Sequence, residues 1–424
     1  MADDVPGLKT ETERDAVRPL WADQYPELDR GPIPVAYLHE QRYFELEREK
    51  IFRRCWLYAG RVEEIPRPNG FLVKNIDICN ASVLIVRNDA TGKLSAFHNL
   101  CKHRLNKLVY ESSGSVGSFV CNYHAWAYDR AGKLRHVPDE SAFYGLDKSR
   151  CDLTQVAIDE WRGFMFINLD RQPGQSLLEY LEELPEILKD YPFEKLVGTN
   201  YGFQRELAVN WKTGQQTNME SYHAEKLHLS PMTGGTEQVA NPGNRPINMK
   251  LMNRHRFFSF AMKREGGFEK VPPTLKLAVQ VATPAAADEQ DAAPRPEATG
   301  RHIRYPGTNF NNAEWWAGDN FFIFPNLLIG TNAGFFQTLV YEPLEVRRSR
   351  FNNNFYYPGI KTAGDLFALK VSIAIQINIV SGDMWAGDRV QDGLSTGVAA
   401  QMMLNDSELA IRHEFKVYNQ MLNT

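Results

Sequence analysis

The sequence predicts an α+β chain in two parts: a small antiparallel β domain, then a larger domain in which a sheet grips a long helix. Two observations carry this. From Trp56 to about Leu169, short apolar segments alternate with turn signals, the texture of a compact antiparallel sheet. Beyond Gln172, strand-like segments give way to a long helical C-terminus, as in α+β domains. Length agrees, since 424 residues at roughly 100–200 per domain make two or three domains.

Residues 1–35 are polar and Pro-rich without periodicity and read as an arm or a poorly ordered tail, with a boundary near 40. A helix is expected over 36–55, because Phe44, Ile51, Phe52 and Cys55 share a face. It leads the first domain, 41–170. There, residues 82–88, 117–129 and 163–170 are β-rich, separated by Pro68-Asn69-Gly70, Asp89-Ala90-Thr91-Gly92 and Arg130-Ala131-Gly132. The second domain, 171–424, opens with an amphipathic helical stretch at 176–191, interrupted by Pro185. A strand over Gln204–Asn210 and a helix over Asn218–His228 follow. Strands are expected at Arg254–Met262, Phe321–Ile329, Phe336–Tyr341 and Ser349–Tyr357. Residues 364–398 are ambiguous at first and helical later. In the last helix, 407–422, Ile411, Phe415, Tyr418 and Leu422 share a face, and Asn405 with Glu408 forms a capping box. Residues 283–300 contain no aromatic residue and no Leu, Ile, Val or Met, so they read as a flexible insertion.

The net charge, 48 − 52 = −4, disfavours a nucleic-acid role built on phosphate neutralisation. No apolar run reaches about 18 residues, so no membrane span is expected. The acidic N-terminus lacks a signal-like apolar core. Five cysteines are too few, and odd in number, for a disulfide scaffold, which points to a cytoplasmic protein with reduced thiols.

Two of those cysteines stand in C-K-H (101–103) and C-N-Y-H (121–124). Cys101, His103, Cys121 and His124 on two loops have the composition of a metal site. Zinc motifs pair like with like, Cys with Cys and His with His. Here each loop offers one of each, which suits a two-iron cluster with two Cys on one iron and two His on the other. A second group lies in NWKTGQQTNMESYHAEKLH (210–228), which contains Glu220, His223 and His228. Five helical steps leave two histidines about 140° apart, so joint ligation needs a distortion or a helix end.

The first group, with Arg104 and Trp126, resembles the C-x-H-R and C-x-Y-H-G-W pattern of Rieske non-haem iron ring-hydroxylating oxygenases, alpha subunits. The family's glycines are replaced by Leu105 and Ala125. Trp161-Arg162-Gly163-Phe164 matches the end of its cluster domain, and Phe324-Pro325-Asn326 matches a segment of its catalytic domain. The resemblance covers roughly 40–420. It implies an antiparallel Rieske [2Fe–2S] domain and a helix-grip catalytic domain of the START/SRPBCC type. It makes His223 and His228 two ligands of a mononuclear Fe(II). The third is an Asp eight residues before Q-x-G-L: Asp383 before Gln391-Asp392-Gly393-Leu394, with Asp388 the competitor. The usual acid before that Asp is Gly382 here. Glu220 takes the place of a carboxylate that bridges an iron histidine and a Rieske histidine of a neighbouring subunit. By position these are His223 and His124, which implies a homotrimer, with or without a beta subunit.

The implied activity is that of a terminal oxygenase component, using O2 and electrons from NAD(P)H through a reductase, with or without a ferredoxin. Cis-dihydroxylation of an aromatic compound is the first expectation. Mono-oxygenation or demethylation of a methoxy-aromatic, N-methyl or quaternary amine substrate is the alternative. A zinc-stabilised carrier of hydrophobic ligands is the reading outside the family.

Overall fold

The computed structural model describes residues 20–88, 91–198, 202–228, 245–261, 273–281, 307–310, 316–332 and 334–423. The insertion expected at 283–300 and the first nineteen residues of the expected arm lie outside them. From Leu20 onward the arm packs. Ile33–Pro34 pairs with Gln401–Met402, the Trp21 and Ala22 amides donate to Asp406, and Arg412 donates to the Gly31 carbonyl.

The helix expected at 36–55 is a short turn, Ala36–Leu38, followed by Gln41–Glu47, which widens into a π-turn over Arg48–Phe52. Its buried face is the expected one, with Phe44, Ile51, Phe52 and Cys55, but it also buries Glu47. Glu47 accepts from Lys212 Nζ, from Trp211 Nε1 at 2.6 Å and from Tyr418 Oη at 2.6 Å. A fully buried carboxylate is tolerable only with such a set of donors.

The first sheet has the antiparallel order Leu57–Arg61, Phe164–Asn168, Gln155–Trp161, Leu94–His98, Ala81–Arg87, Gly70–Ile76 and Ser113–Ser115. Beside it lies a small sheet of Phe119–Val120, Ala127–Tyr128 and Leu134–His136. The segment 117–129 is therefore two short strands, because 121–126 leaves the ladder as a loop. Phe71, Phe97, Phe119, Trp126 and Tyr128 give this region its own core.

Residues 176–191 form two one-turn helices, Leu177–Tyr180 and Leu184–Ile187, with Pro185 at the start of the second. The second sheet runs Val197–Gly198, Arg348–Tyr357, Phe336–Glu345, Leu327–Thr331, Trp316–Ile323, Arg256–Ala261 and Asn248–Leu251; Phe203–Leu207 also pairs with Arg348–Tyr357. The single strand expected at Phe321–Ile329 is thus a hairpin. Phe324-Pro325-Asn326 makes its turn, and Asn326 Nδ2 donates to the Tyr341 carbonyl at 3.0 Å. Pro325 offers the ladder no N–H, so the strand ends there. The ladder pairs Asn320 with Gly330, Gly330 with Gln337, and Tyr341 with Phe351. Side chains alternate across a sheet, so Asn320, Gln337, Leu339 and Tyr341 share one face.

The ambiguous segment at 364–398 is one helix, Ala363–Ser395, capped by Thr362 with Asp365. By length and composition it is apolar enough to cross a membrane. Here it lies on the sheet, where Gln376 meets Gln337 and Asp383 is buried. The last helix, Leu409–Asn423, follows the expected Asn405/Glu408 capping box. The two sheets share a core that joins Trp161, Phe164, Phe193 and Phe336. Ion pairs of Lys74 with Glu342 and of Arg350 with Asp77 also tie the sheets together.

Candidate active site and cluster loops

The loops 101–106 and 121–126 have the same backbone form. The Cys101 amide donates to Asn106 O and the Leu105 amide to Cys101 O; the Cys121 amide donates to Trp126 O and the Ala125 amide to Cys121 O. The turn requires left-handed backbone at its fifth residue, and Leu105 and Ala125 have φ of +59° and +57°. Glycine would adopt that conformation freely, so the two departures from the family pattern fall on strained positions.

Four candidate ligands meet at the loop tips. Cys101 and Cys121 are buried. Tyr128 Oη lies 3.5 Å from Cys101 Sγ, and Asn106 Nδ2 donates to Cys121 Sγ at 3.8 Å. Burial works against a Cys121 thiolate, but the Tyr123 and His124 amides outweigh it and hold the thiol below its ordinary value. The His103 and His124 rings lie 4.5 Å apart. His103 stacks on Trp126, and its buried Nδ1 has no hydrogen-bond partner among the described residues. Two buried sulfurs, two adjacent imidazoles and an orphaned ring nitrogen fit a Rieske cluster.

The helix expected over Asn218–His228 is displaced. Helix occupies Trp211–Gln216, with the Asn210 side chain accepting from the Lys212 amide, and the chain then unwinds. A single turn, Ala224–Leu227, follows, with His223 and His228 as its two caps. The break removes the angular problem: the two histidines flank one turn, and their Nε2 atoms lie 3.1 Å apart.

Asp383 comes to the same point from the long helix. Its Oδ1 is 3.2 Å from His223 Nε2 and 3.3 Å from His228 Nε2, yet neither contact is a hydrogen bond. Asp383 is 4% exposed, so that oxygen is a buried acceptor aimed between two nitrogens. This orphaned oxygen with two converging imidazoles fits a 2-His-1-carboxylate metal site. Asp388 is not part of the cluster. Burial opposes a charge on His223, but Asp383 and Glu220 outweigh it and push the imidazole up to about 10. The two carboxylates thus favour a positive charge at this point. Glu220 contacts His223 Nδ1 and accepts from the His223 amide at 3.1 Å.

Gly382, where the family carries an acid, is explained by packing. A Cβ there would lie 3.3 Å from His228 Nδ1 and 3.4 Å from its Cε1. Gly214 similarly admits the Tyr341 ring, 2.7 Å from where its Cβ would be. Asn218, Tyr341 and Asn320 were not legible in the sequence. Asn218 Nδ2 donates to Tyr341 Oη at 3.1 Å, and Asn320 Nδ2 to Asn218 O at 3.5 Å. Tyr341 and Asn320 come from distant strands, and only strand register places them here. Gln391, by contrast, was visible as a motif residue. It accepts from the Asn210 amide at 2.8 Å, so the two catalytic-domain motifs touch.

Residues 55–156 match the Rieske [2Fe-2S] domain family, and residues 193–424 match the family described as ring hydroxylating alpha subunit (catalytic domain). The chain belongs to the Rieske oxygenase alpha subunits. It therefore carries the [2Fe–2S] domain and the catalytic domain that in this family binds mononuclear non-haem iron. That sets aside the zinc-stabilised carrier. The chain is 32% identical over 196 residues to the glycine betaine monooxygenase oxygenase subunit of Pseudomonas aeruginosa, covering 46% of this chain and 44% of that protein. It is 33% identical over 196 residues to the anthranilate 1,2-dioxygenase large subunit of Acinetobacter baylyi, covering 45% and 41%. The match thus spans less than half the length of either relative. A crystal structure of the quaternary ammonium Rieske monooxygenase CntA superposes with a TM-score of 0.72 at 19% identity, over 96% of this chain and 99% of that one.

Proposed function

We propose that the chain is the terminal oxygenase component of a Rieske system, fed with electrons from NAD(P)H by a reductase, directly or through a ferredoxin. Cys101, His103, Cys121 and His124 hold the cluster in this reading, and His223, His228 and Asp383 hold Fe(II). The convergence of two Nε2 atoms on the orphaned, buried Asp383 Oδ1 carries it. When bound, the cluster supplies single electrons and the iron supplies the chemistry of O2 reduction.

The chain's own residues prepare that site. Glu220 accepts a hydrogen bond from His223 Nδ1–H, which would leave the Nε2 lone pair for the iron that Asp383 also holds. Trp126 fixes the plane of His103. The Tyr341 hydroxyl holds the Asn218 side chain two residues before Glu220. Glu220 also serves as the bridge to His124 of a neighbouring copy, in a homotrimer.

For the substrate, the relatives support mono-oxygenation of a methylated ammonium group ahead of the first expectation. The glycine betaine enzyme favours it; the anthranilate relative, at similar identity, favours aromatic cis-dihydroxylation as the second reading. The two readings differ in product. Demethylation converts R–N(CH3)3+, O2, two electrons and two protons into R–NH(CH3)2+, formaldehyde and water. Dihydroxylation places both oxygen atoms in one diol. The test is purified chain with a reductase, NADH and 18O2 against methylated amines and aromatic acids. Formaldehyde with the demethylated amine is expected. A doubly labelled diol transfers the assignment to the second reading, and no O2-dependent product from any substrate overturns the oxygenase reading.

A further inference from the structure

The inner face of the catalytic sheet carries a run of neutral amides leading away from the His223–Asp383 cluster. Asn218 sits two residues before Glu220, and Asn320 donates to its carbonyl. A Cβ on Gly330 would lie 3.4 Å from Asn320 Oδ1 and 3.3 Å from Gln337 Cγ, so these three adjoin. Gln337 Nε2 donates to Gln376 Oε1 at 3.2 Å. Gln376 is seven residues before Asp383 on the long helix. Two turns place both on one side of it, about 10 Å apart along the axis.

The run ends on Asn353, which is fully buried. Its Nδ2 donates to Gln337 Oε1 at 3.1 Å and to the Thr338 carbonyl at 3.2 Å. Thr338 O can only accept, so the amide cannot be turned over without losing that bond. Its Oδ1 is then a buried acceptor, with no partner among the described residues. Buried acceptors are nearly always matched by a donor, and this one lies next to Gln337, whose partner Gln376 is on the helix that carries Asp383, so a ligand reaching along that helix could supply the missing donor.

We propose that Asn353 Oδ1, framed by Gln337 and Gln376, accepts a hydrogen bond from a hydroxyl or N–H of the substrate, remote from the oxidised carbon. Within the proposed oxygenase reading, on which this rests, the substrate is thereby narrowed. A quaternary ammonium compound would be one that also bears a hydroxyl, and an aromatic one would carry an amine or hydroxyl.

Matched pairs test this by binding alone. Iron-loaded, cluster-loaded protein is dialysed to equilibrium without O2 against choline and its O-methyl ether, and against anthranilate and N,N-dimethylanthranilate. The donor-bearing member of at least one pair is expected to bind about tenfold more tightly, the effect of one hydrogen bond of ordinary strength. In Asn353→Leu that preference falls to near unity while the methylated member binds as before. Should the variant not fold, the wild-type comparison decides alone. Equal affinity within both pairs, including no measurable binding of any member, overturns the proposal. Because the readout needs no turnover, a preference that persists in a protein without oxygenase activity would separate failure of the reaction reading from failure of this one.

Discussion

Leu105 and Ala125 each hold a side chain in left-handed backbone, where a Cβ costs about 1–2 kcal/mol and glycine nothing. Part of the gain from replacement is returned as chain entropy. Leu105→Gly should therefore raise stability by about 0.5–1 kcal/mol, read as a later denaturation midpoint with the visible cluster spectrum intact. An unchanged or earlier midpoint would show that the Leu105 side chain contributes contacts that outweigh the strain. At Gly382 the sign is opposite. The Cβ of Gly382→Ala presses on the His228 ring, so the variant should hold iron several-fold more weakly at the mononuclear site, measured by chelator competition; unchanged retention would mean the ring shifts freely. Glu220→Gln should leave both metals bound and slow electron transfer from cluster to iron in single-turnover mixing; wild-type rates would remove the bridging role. Residues of this kind differ in legibility. Cys101, His103, Cys121 and His124 lie on short loops whose spacing is written in the chain. Tyr341 and Asn320 carry no local signal, because their place depends on the register of strands far apart in sequence.

Among the elements, the helix Trp211–Gln216 is held from outside. Its Lys212 and Trp211 both bond Glu47 of the first region, and Tyr418 of the last helix bonds the same carboxylate. Glu47→Gln leaves the Lys212 ammonium buried without its counter-charge, which typically costs about 3–5 kcal/mol; the double change Glu47→Gln with Lys212→Met should cost less than the single one. Additive losses would show that the pair is not coupled. Two buried histidines supply an acid-sensitive element. His255 Nε2 contacts the Tyr180 carbonyl at 2.6 Å while its Nδ1 accepts from the Phe324 amide at 3.0 Å; His413 contacts the Met252 carbonyl and accepts from Arg256 in the same way. Both are neutral donors and acceptors at once, and burial lowers each from 6.5 to about 3. The unfolded chain takes up these protons near pH 6.5 and the folded chain does not. Stability is thus full above about 6.5 and declines as pH falls toward 3, each histidine adding up to about 1.4 kcal/mol per pH unit. Denaturation midpoints between pH 7 and 4.5 should show a shallower slope in His255→Asn/His413→Asn; an equal slope would place the acid sensitivity elsewhere. The elements themselves were legible where periodicity is long, as in the last helix and the paired strands near 340 and 352. They were not legible where function breaks the pattern. Residues 217–223 unwind so that two histidines meet, and 121–126 leaves its ladder to form a ligand loop.

On the scale of the whole molecule, the sheets share a hydrophobic core, and the long helix carries both Asp383 and Gln376 on one side. The fold class and the order of its two parts were readable from texture and punctuation. The third carboxylate was readable only as a spacing from Gln391, which left Asp388 open, and the fold itself brings Asp383 rather than Asp388 to the histidines. Two separate iron populations are then expected in one chain: two irons in the cluster and one held by His223, His228 and Asp383. The most direct test is iron and acid-labile sulfide per chain in anaerobically reconstituted Asp383→Ala and Asp388→Ala, with electron paramagnetic resonance of the reduced cluster. Asp383→Ala should lose the single mononuclear iron and keep two irons, two sulfides and the cluster signal, while Asp388→Ala keeps all three irons. Full iron retention in Asp383→Ala, or loss of the mononuclear iron in Asp388→Ala alone, would contradict it.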